Sequence, residues 1–211
     1  MTRSTTSVPW PGADPLKVPS ARQAMLLVGG CLVLATGVGM LLTADLGSDG
    51  YSTFVNGLAL TLDVPFWVVN LAVGLVLVGL AAVRGVRPGV GTVAQVVGVG
   101  VVISLLLGWW STPDEPAGRW ILLVLAFPVL AGGIAVYLGS NTGAGPAEAA
   151  GLAWDPPVPF RWSYSLVQGG GALGGYLLGA TIGVGTVAVV LTLGPLVDLA
   201  SRALRLDVHQ T

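Results

Sequence analysis

Gly89-Val90-Gly91-Thr92-Val93-Ala94 recurs unchanged as Gly183-Val184-Gly185-Thr186-Val187-Ala188, 94 residues further along the chain. At the same offset Gly57-Leu58-Ala59 matches Gly151-Leu152-Ala153, and Val64-Pro65-Phe66 matches Val158-Pro159-Phe160. Residues 57–100 and 151–194 share 16 identities in 44. Composition this biased gives about four by chance, so the chain reads as an internal duplication. Upstream, a two-residue gap sets Gly47 opposite Gly143.

The repeated segments lie in apolar runs. Of the 211 residues 54% are hydrophobic and 9% charged, against roughly 25% charged in a soluble domain. Spans are expected at Ala24–Ala44, Val64–Val83, Gly89–Trp110 and Trp120–Gly139. From Trp162 to Val197 there are 36 residues without a charge, too many for one crossing of a core about 30 Å thick. A break at Thr181-Ile182-Gly183 divides them into spans near 162–180 and 184–200. Trp10, Trp109, Trp110, Trp120, Trp154 and Trp162 fall near span ends, as an interfacial aromatic belt requires. Pro128 is expected to kink the fourth span.

Six spans with both termini in the cytoplasm place Arg3, Lys17, Arg22, Arg84, Arg87, Arg161, Arg202 and Arg205 inside and Arg119 outside, a positive-inside distribution. Three spans per half is an odd number, so the second half must be inverted. The bases change accordingly: Arg84 and Arg87 correspond to Leu178 and Thr181, and Trp67 to Arg161. The expected fold is all-α and integral to the membrane: six transmembrane helices as two inverted three-helix repeats, each with a short interfacial or re-entrant helix. Its parts are a disordered cytoplasmic tail (1–21), repeat 1 (22–110), an extracytoplasmic linker (111–119), repeat 2 (120–205) and a cytoplasmic tail (206–211). Arginine outnumbers lysine eight to one, and Gly, Ala and Val are heavily used, which suggests a GC-rich bacterial genome and hence the cytoplasmic membrane.

Composition also removes function classes. A net charge of −1 with no basic cluster argues against nucleic acid as a partner. Cys31 lies in an apolar run and His209 in the polar tail, so zinc sites, Ser-His-Asp triads and Cys-His dyads lack their parts. No Gly-Lys-Ser/Thr follows the glycine-rich repeats, so they are not phosphate cradles. No cofactor and no enzymatic activity are expected.

Each half carries a glycine turn and a helix start between its first and second spans. The first runs Gly47-Ser48-Asp49-Gly50-Tyr51-Ser52, with Ser48 or Asp49 as the cap. The second runs Gly143-Ala144-Gly145-Pro146-Ala147-Glu148, with Pro146 suited to the first helical position and Glu148 in the first turn. Two such turns approaching from opposite faces would line one cavity. The candidate substrate-binding residues are Asp49, Ser52, Asn56, Asn70, Gly143, Gly145, Pro146, Glu148 and Gln168, with Glu148 the main ionisable group. Free N–H groups at the helix starts would favour an anion or a polar atom. The plainer reading of Asp49 and Glu148 is solvated charge at helix N-termini. That of Asn70, Gln95 and Gln168 is interhelical hydrogen bonding, and that of Gly-Val-Gly-Thr close helix contact. Asp198 and Arg202 read as an i,i+4 ion pair.

The order of these motifs resembles the bacterial membrane proteins grouped under the YczE, YyaS and YitT names. The residues that carry it are Ala44-Asp45-Leu46-Gly47, Arg87-Pro88-Gly89-Val90-Gly91-Thr92, Gly143-Ala144-Gly145-Pro146-Ala147-Glu148, Gly183-Val184-Gly185-Thr186 and Gly194-Pro195-Leu196. The likeness covers about residues 22–205. Where the family has Gly-Pro-Trp-Asp in its first half, this chain has Asp49-Gly50-Tyr51-Ser52, so only Glu148 keeps its acid in register. The resemblance implies a fold, with transport or a membrane-regulatory role. The expected function is a small secondary transporter or permease for a small solute, coupled to protons through Glu148, with the lipid bilayer and a second copy of the chain as partners. The alternative is a non-transporting regulatory or partner subunit, and the weakest reading is a membrane-embedded enzyme. A polar cavity reaching the interior separates transporter from scaffold.

Overall fold

A computed structural model describes residues 18–154, 157, 158 and 160–206. Trp10, Lys17 and His209 lie outside these residues. So do the side chains of Arg161 and Asp198, and with the latter the expected Asp198–Arg202 pair. The described chain is all-helical: α1 (Ala21–Ala44), α2 (Gly50–Leu62), α3 (Phe66–Val83), α4 (Val90–Val93), a π-helical segment (Ala94–Val99), α5 (Gly100–Trp109), α6 (Pro116–Leu138), α7 (Pro146–Leu152), α8 (Phe160–Leu177) and α9 (Val184–Leu204).

Local sequence sets the helix ends. Ser20 caps α1 and Gln23 reaches back to it, a reciprocal pair that satisfies two free N–H groups. α1 stops where Asp45 turns left-handed at φ 53°. Pro116 opens α6, where a missing N–H costs nothing. Pro128 lies inside α6, which runs on to Leu138. Gly89 and Gly183 precede α4 and α9, so both copies of Gly-Val-Gly-Thr begin a helix.

Four of these helical stretches are long and apolar enough to cross a bilayer: α1, α3, the continuous run Val90–Trp109, and α6. α9 makes a fifth when taken whole. It bends by 51° between Val184–Leu193 and Pro195–Leu204, where Pro195 removes a backbone donor. α8 covers most of the expected span at 162–180, but Arg161, Gln168 and five glycines leave it less apolar than the others. Large apolar side chains face outward on these helices: Leu75, Leu80, Val124, Leu125, Val187 and Leu191 are all more than half exposed. Such faces are unfavourable in water and ordinary against lipid tails. Trp109, Trp110, Trp120, Trp154 and Trp162 are exposed as well.

The core is the crossing of α1 and α6, the most extensive helix pair of the molecule. Gly30 meets Tyr137, Leu34 meets Gly133 and Gly37 meets Leu130, so the two helices run antiparallel. A Cβ at Gly37 would lie 2.7 Å from Leu130 N, so these glycines let the backbones touch. Ala35, Val38, Leu41, Ala126, Leu130 and Ala131 fill the seam.

Two further contacts place the glycine turns. Gly91 N–H donates to Thr142 O at 2.9 Å, and Gly185 N–H donates to Leu46 O at 2.8 Å. Each Gly-Val-Gly-Thr segment thus grips the turn that belongs to the other half of the sequence. The expectation of close helix contact through these glycines is corrected here: the close approach is to a turn. A Cβ at Gly91 would lie 2.5 Å from Thr142 Oγ1, and one at Gly185 would run into Gly47 O. Gly47 and Gly143 hold φ of 101° and 130°, a region that glycine enters without penalty.

Candidate functional site

The two turns bring the starts of α2 and α7 to one interior cavity of about 60 Å³. Its polar wall is Asp49, Tyr51, Ser52, Asn70, Gln95, Glu148, Tyr164 and Gln168, and its apolar wall includes Leu34, Val38, Ile103 and Leu130 from the core seam. A void of this size with several polar partners holds water or a small solute.

Asp49 caps α2. Its carboxylate accepts from Ser52 N–H at 3.0 Å and from Ser48 Oγ at 3.2 Å. Tyr51 N–H, the next free donor of that helix, goes to Gln168 Oε1 at 3.0 Å. The start of α2 is therefore occupied by the protein's own oxygens, which corrects the expectation that its N–H groups await an anion. Glu148 is the third residue of α7 and has no such partner set. Among the described residues its carboxyl accepts from its own backbone N–H. It is half-buried and lines the cavity.

Both acids lie outside the helices that are long enough to cross a membrane. Burial pushes the Glu148 carboxyl up from 4.5 to about 7, and the charge on Asp49 adds to the effect. Burial also raises Asp49, against the pull of its hydrogen bonds from Ser52 and Ser48. One carboxyl is thus held by a cap while the other is poised to take up or lose a proton near neutral pH.

The amides around them are largely spent. Asn70 on α3 accepts from Tyr51 Oη at 3.0 Å and donates from Nδ2 to Val96 O at 2.7 Å. That carbonyl belongs to the π-helical segment Ala94–Val99. Gln168 on α8 donates to Tyr164 Oη at 2.7 Å. Gln95, inside the π-helical segment, differs: its Nε2 is buried and has no hydrogen-bond partner among the described residues.

Of the nine candidate residues, Asp49, Ser52, Asn70, Pro146, Glu148 and Gln168 line the cavity. Asn56, one turn further along α2, lines a separate cavity of about 20 Å³ with Asp45, Ser48, Thr53 and Thr181. Gly143 packs against Gly89 and Thr92 instead of the cavity. Gly145 is the α7 cap residue, and its N–H donates to Tyr137 Oη at 2.8 Å. Tyr51, Tyr164 and Gln95 join the site without having been candidates for it. Tyr164 stands 94 residues after Asn70, so the repeat already paired these two polar positions. Among the described residues no three His, Cys, Asp or Glu side chains cluster as a metal site would need.

Two side-chain ties lie away from the cavity. Asp45 pairs with Arg119 at 3.6 Å and accepts from Thr181 Oγ1. Arg84 donates to Ala153 O at 3.1 Å and stacks over the Trp154 ring at 4.5 Å.

Residues 21–202 match the model of a family of unknown function, DUF6198. An uncharacterized protein of Haemophilus influenzae is 25% identical over 174 residues, covering 79% of this chain and 77% of its own length. No solved structure matches. The likeness to the YczE, YyaS and YitT group rests on the motifs alone.

Proposed function

We propose that this chain, which belongs to the DUF6198 family of unknown function, is a small proton-coupled secondary transporter of a bacterial cytoplasmic membrane. Its two halves are inverted three-span repeats, with α8 and α9 completing the second. α2 and α7 enter the membrane as re-entrant helices from opposite faces.

The observation that carries this reading is the meeting of Asp49 and Glu148, from the two equivalent turns, at one cavity. Buried acids are costly in a membrane protein and are kept where protons or solutes move. Irregular backbone at membrane depth is tolerated beside such a cavity, and transporters built from inverted repeats bind their substrates at the repeat interface. The crossed hydrogen bonds Gly91–Thr142 and Gly185–Leu46 support a two-fold relation between the halves, and the antiparallel α1–α6 seam supports their inversion. A regulatory subunit has no need of two acids facing one void.

Proteoliposomes carrying a trapped pH indicator test the reading. Challenge with a panel of small polar solutes should shift the luminal pH for at least one of them. Glu148→Gln should abolish that shift while remaining folded and inserted in the proteoliposome. Proton movement equal to wild type in Glu148→Gln, or no coupled proton movement with any solute, would overturn it.

A further inference from the structure

Resting on the transport reading, we infer that the cavity binds a small primary alkylammonium ion, of the size of methylammonium, at the Glu148 carboxylate, in place of the proton that this carboxyl otherwise carries. Two oxygens carry the inference. A Cβ on Gly145 would lie 2.6 Å from Glu148 Oε2 and 2.9 Å from Gln95 Oε1, so both atoms reach the same point. Each is a hydrogen-bond acceptor. Beyond the Glu148 backbone N–H, no donor among the described residues serves either of them. Gln95 is 8% exposed and lines the cavity, while its Nε2 is enclosed in protein. Two acceptors side by side with nothing donating to them mark a place where a donor belongs.

The rest of the wall favours the same occupant. The side-chain donors of Tyr51, Asn70 and Gln168 go to Asn70 Oδ1, Val96 O and Tyr164 Oη. Among the described residues no Lys, Arg or His lines the cavity, whereas a second carboxyl, Asp49, does. An anion would enter a desolvated site with no counter-charge. An alkylammonium group brings a positive charge, three N–H donors and no acceptor. Calcium and magnesium ions take six or more oxygens, but Leu34, Val38, Ile103 and Leu130 give much of this wall to carbon. A methyl group packs against such a surface. The volume, about 60 Å³, suits a molecule of a few non-hydrogen atoms.

Glu148 then holds either a proton or the ammonium group, which makes the transport an exchange. The ionisable groups that face it are Asp49 and Tyr51 at the start of α2, Tyr137 on α6 and Tyr164 on α8. Arg84, at the end of α3, is engaged by Ala153 O and the Trp154 ring. Phenols carry no charge near neutral pH, and Asp49 is tied by Ser48 and Ser52. The exchange is therefore placed on Glu148: one ammonium ion binds and one proton leaves to the solvent.

Isothermal titration calorimetry on the purified full-length protein compares methylammonium with three probes. Tetramethylammonium is a cation without N–H donors, methanol lacks the charge, and formate is an anion. Above neutral pH wild type should bind methylammonium at least about tenfold more tightly than any of them. Its affinity should fall about tenfold for each pH unit below about 7, with release of a proton. Gln95→Leu should weaken methylammonium about tenfold, and Glu148→Gln should not bind it. Absence of methylammonium binding, equal or tighter binding of any other probe, or an affinity independent of pH overturns the assignment without recourse to a variant. Full affinity in a folded Gln95→Leu protein overturns it as well. Exchange is read as luminal pH in proteoliposomes against vesicles holding Glu148→Gln, which share the passive leak of the free amine. If methanol or formate drives proton movement that depends on Glu148 and methylammonium does not bind, the ammonium assignment falls and the transport reading stands. If methylammonium binds as described and no solute moves a proton, the ammonium assignment stands and the transport reading falls.

Discussion

Glu148 and Asp49 show how position within one helical turn sets the behaviour of a carboxyl. Asp49 stands at the cap and is tied by Ser48 and Ser52. Glu148 stands at the third helical position and faces the void. The Glu148 carboxyl rises from 4.5 to about 7 because burial disfavours its charge. Its folded value is the higher one, so the folded state binds the extra proton. Its contribution is fully present below pH 4.5 and is lost as pH rises to about 7. The melting temperature of wild type should therefore fall between those pH values relative to Glu148→Gln, by the equivalent of about 3 kcal/mol. Parallel melting curves for the two proteins across that interval would show that Glu148 is fully hydrated. Both acids were legible in the sequence, because each sits in a glycine turn of the repeat. Gln95 was not, since one amide in an apolar run reads equally as an interhelical hydrogen bonder. The one sign available was Val189 at the equivalent place in the second copy, a break in the repeat just after its best-kept stretch.

At the scale of elements, the sequence located α1, α3, the Val90–Trp109 run, α6 and α9 to within a few residues, because uncharged apolar length is a strong signal. The π-helical segment Ala94–Val99 had no such signal; Asn70, arriving from α3, donates to the Val96 carbonyl within it. The role of Gly-Val-Gly-Thr was half legible. Small residues announce a close approach, but what approaches is a turn from a remote part of the chain. Gly91→Leu and Gly185→Leu should each destabilise the protein by about 1–3 kcal/mol or more through overpacking. Gly108→Ala, whose Cβ would meet nothing within 4 Å, should leave the melting temperature unchanged or raise it. If both leucine variants melted with wild type, the crossed Gly91–Thr142 and Gly185–Leu46 contacts would not hold the turns in place.

For the whole molecule, the proposed transporter requires two halves that face opposite ways and share one cavity. The exchange of Arg84 and Arg87 for Leu178 and Thr181 and the antiparallel α1–α6 seam are what that arrangement requires. Cysteine labelling at repeat-equivalent positions reads it directly. Arg87 and Thr181 lie 94 residues apart in exposed loops, and Cys31 is buried in α1. In a Cys31→Ala background, single Arg87→Cys and Thr181→Cys variants are exposed to a membrane-impermeant maleimide on either side of oriented vesicles. Inverted halves require Arg87→Cys to react from the cytoplasmic face alone and Thr181→Cys from the opposite face alone. Reaction of both from the same face would contradict the inverted repeat and, with it, the shared cavity at its interface.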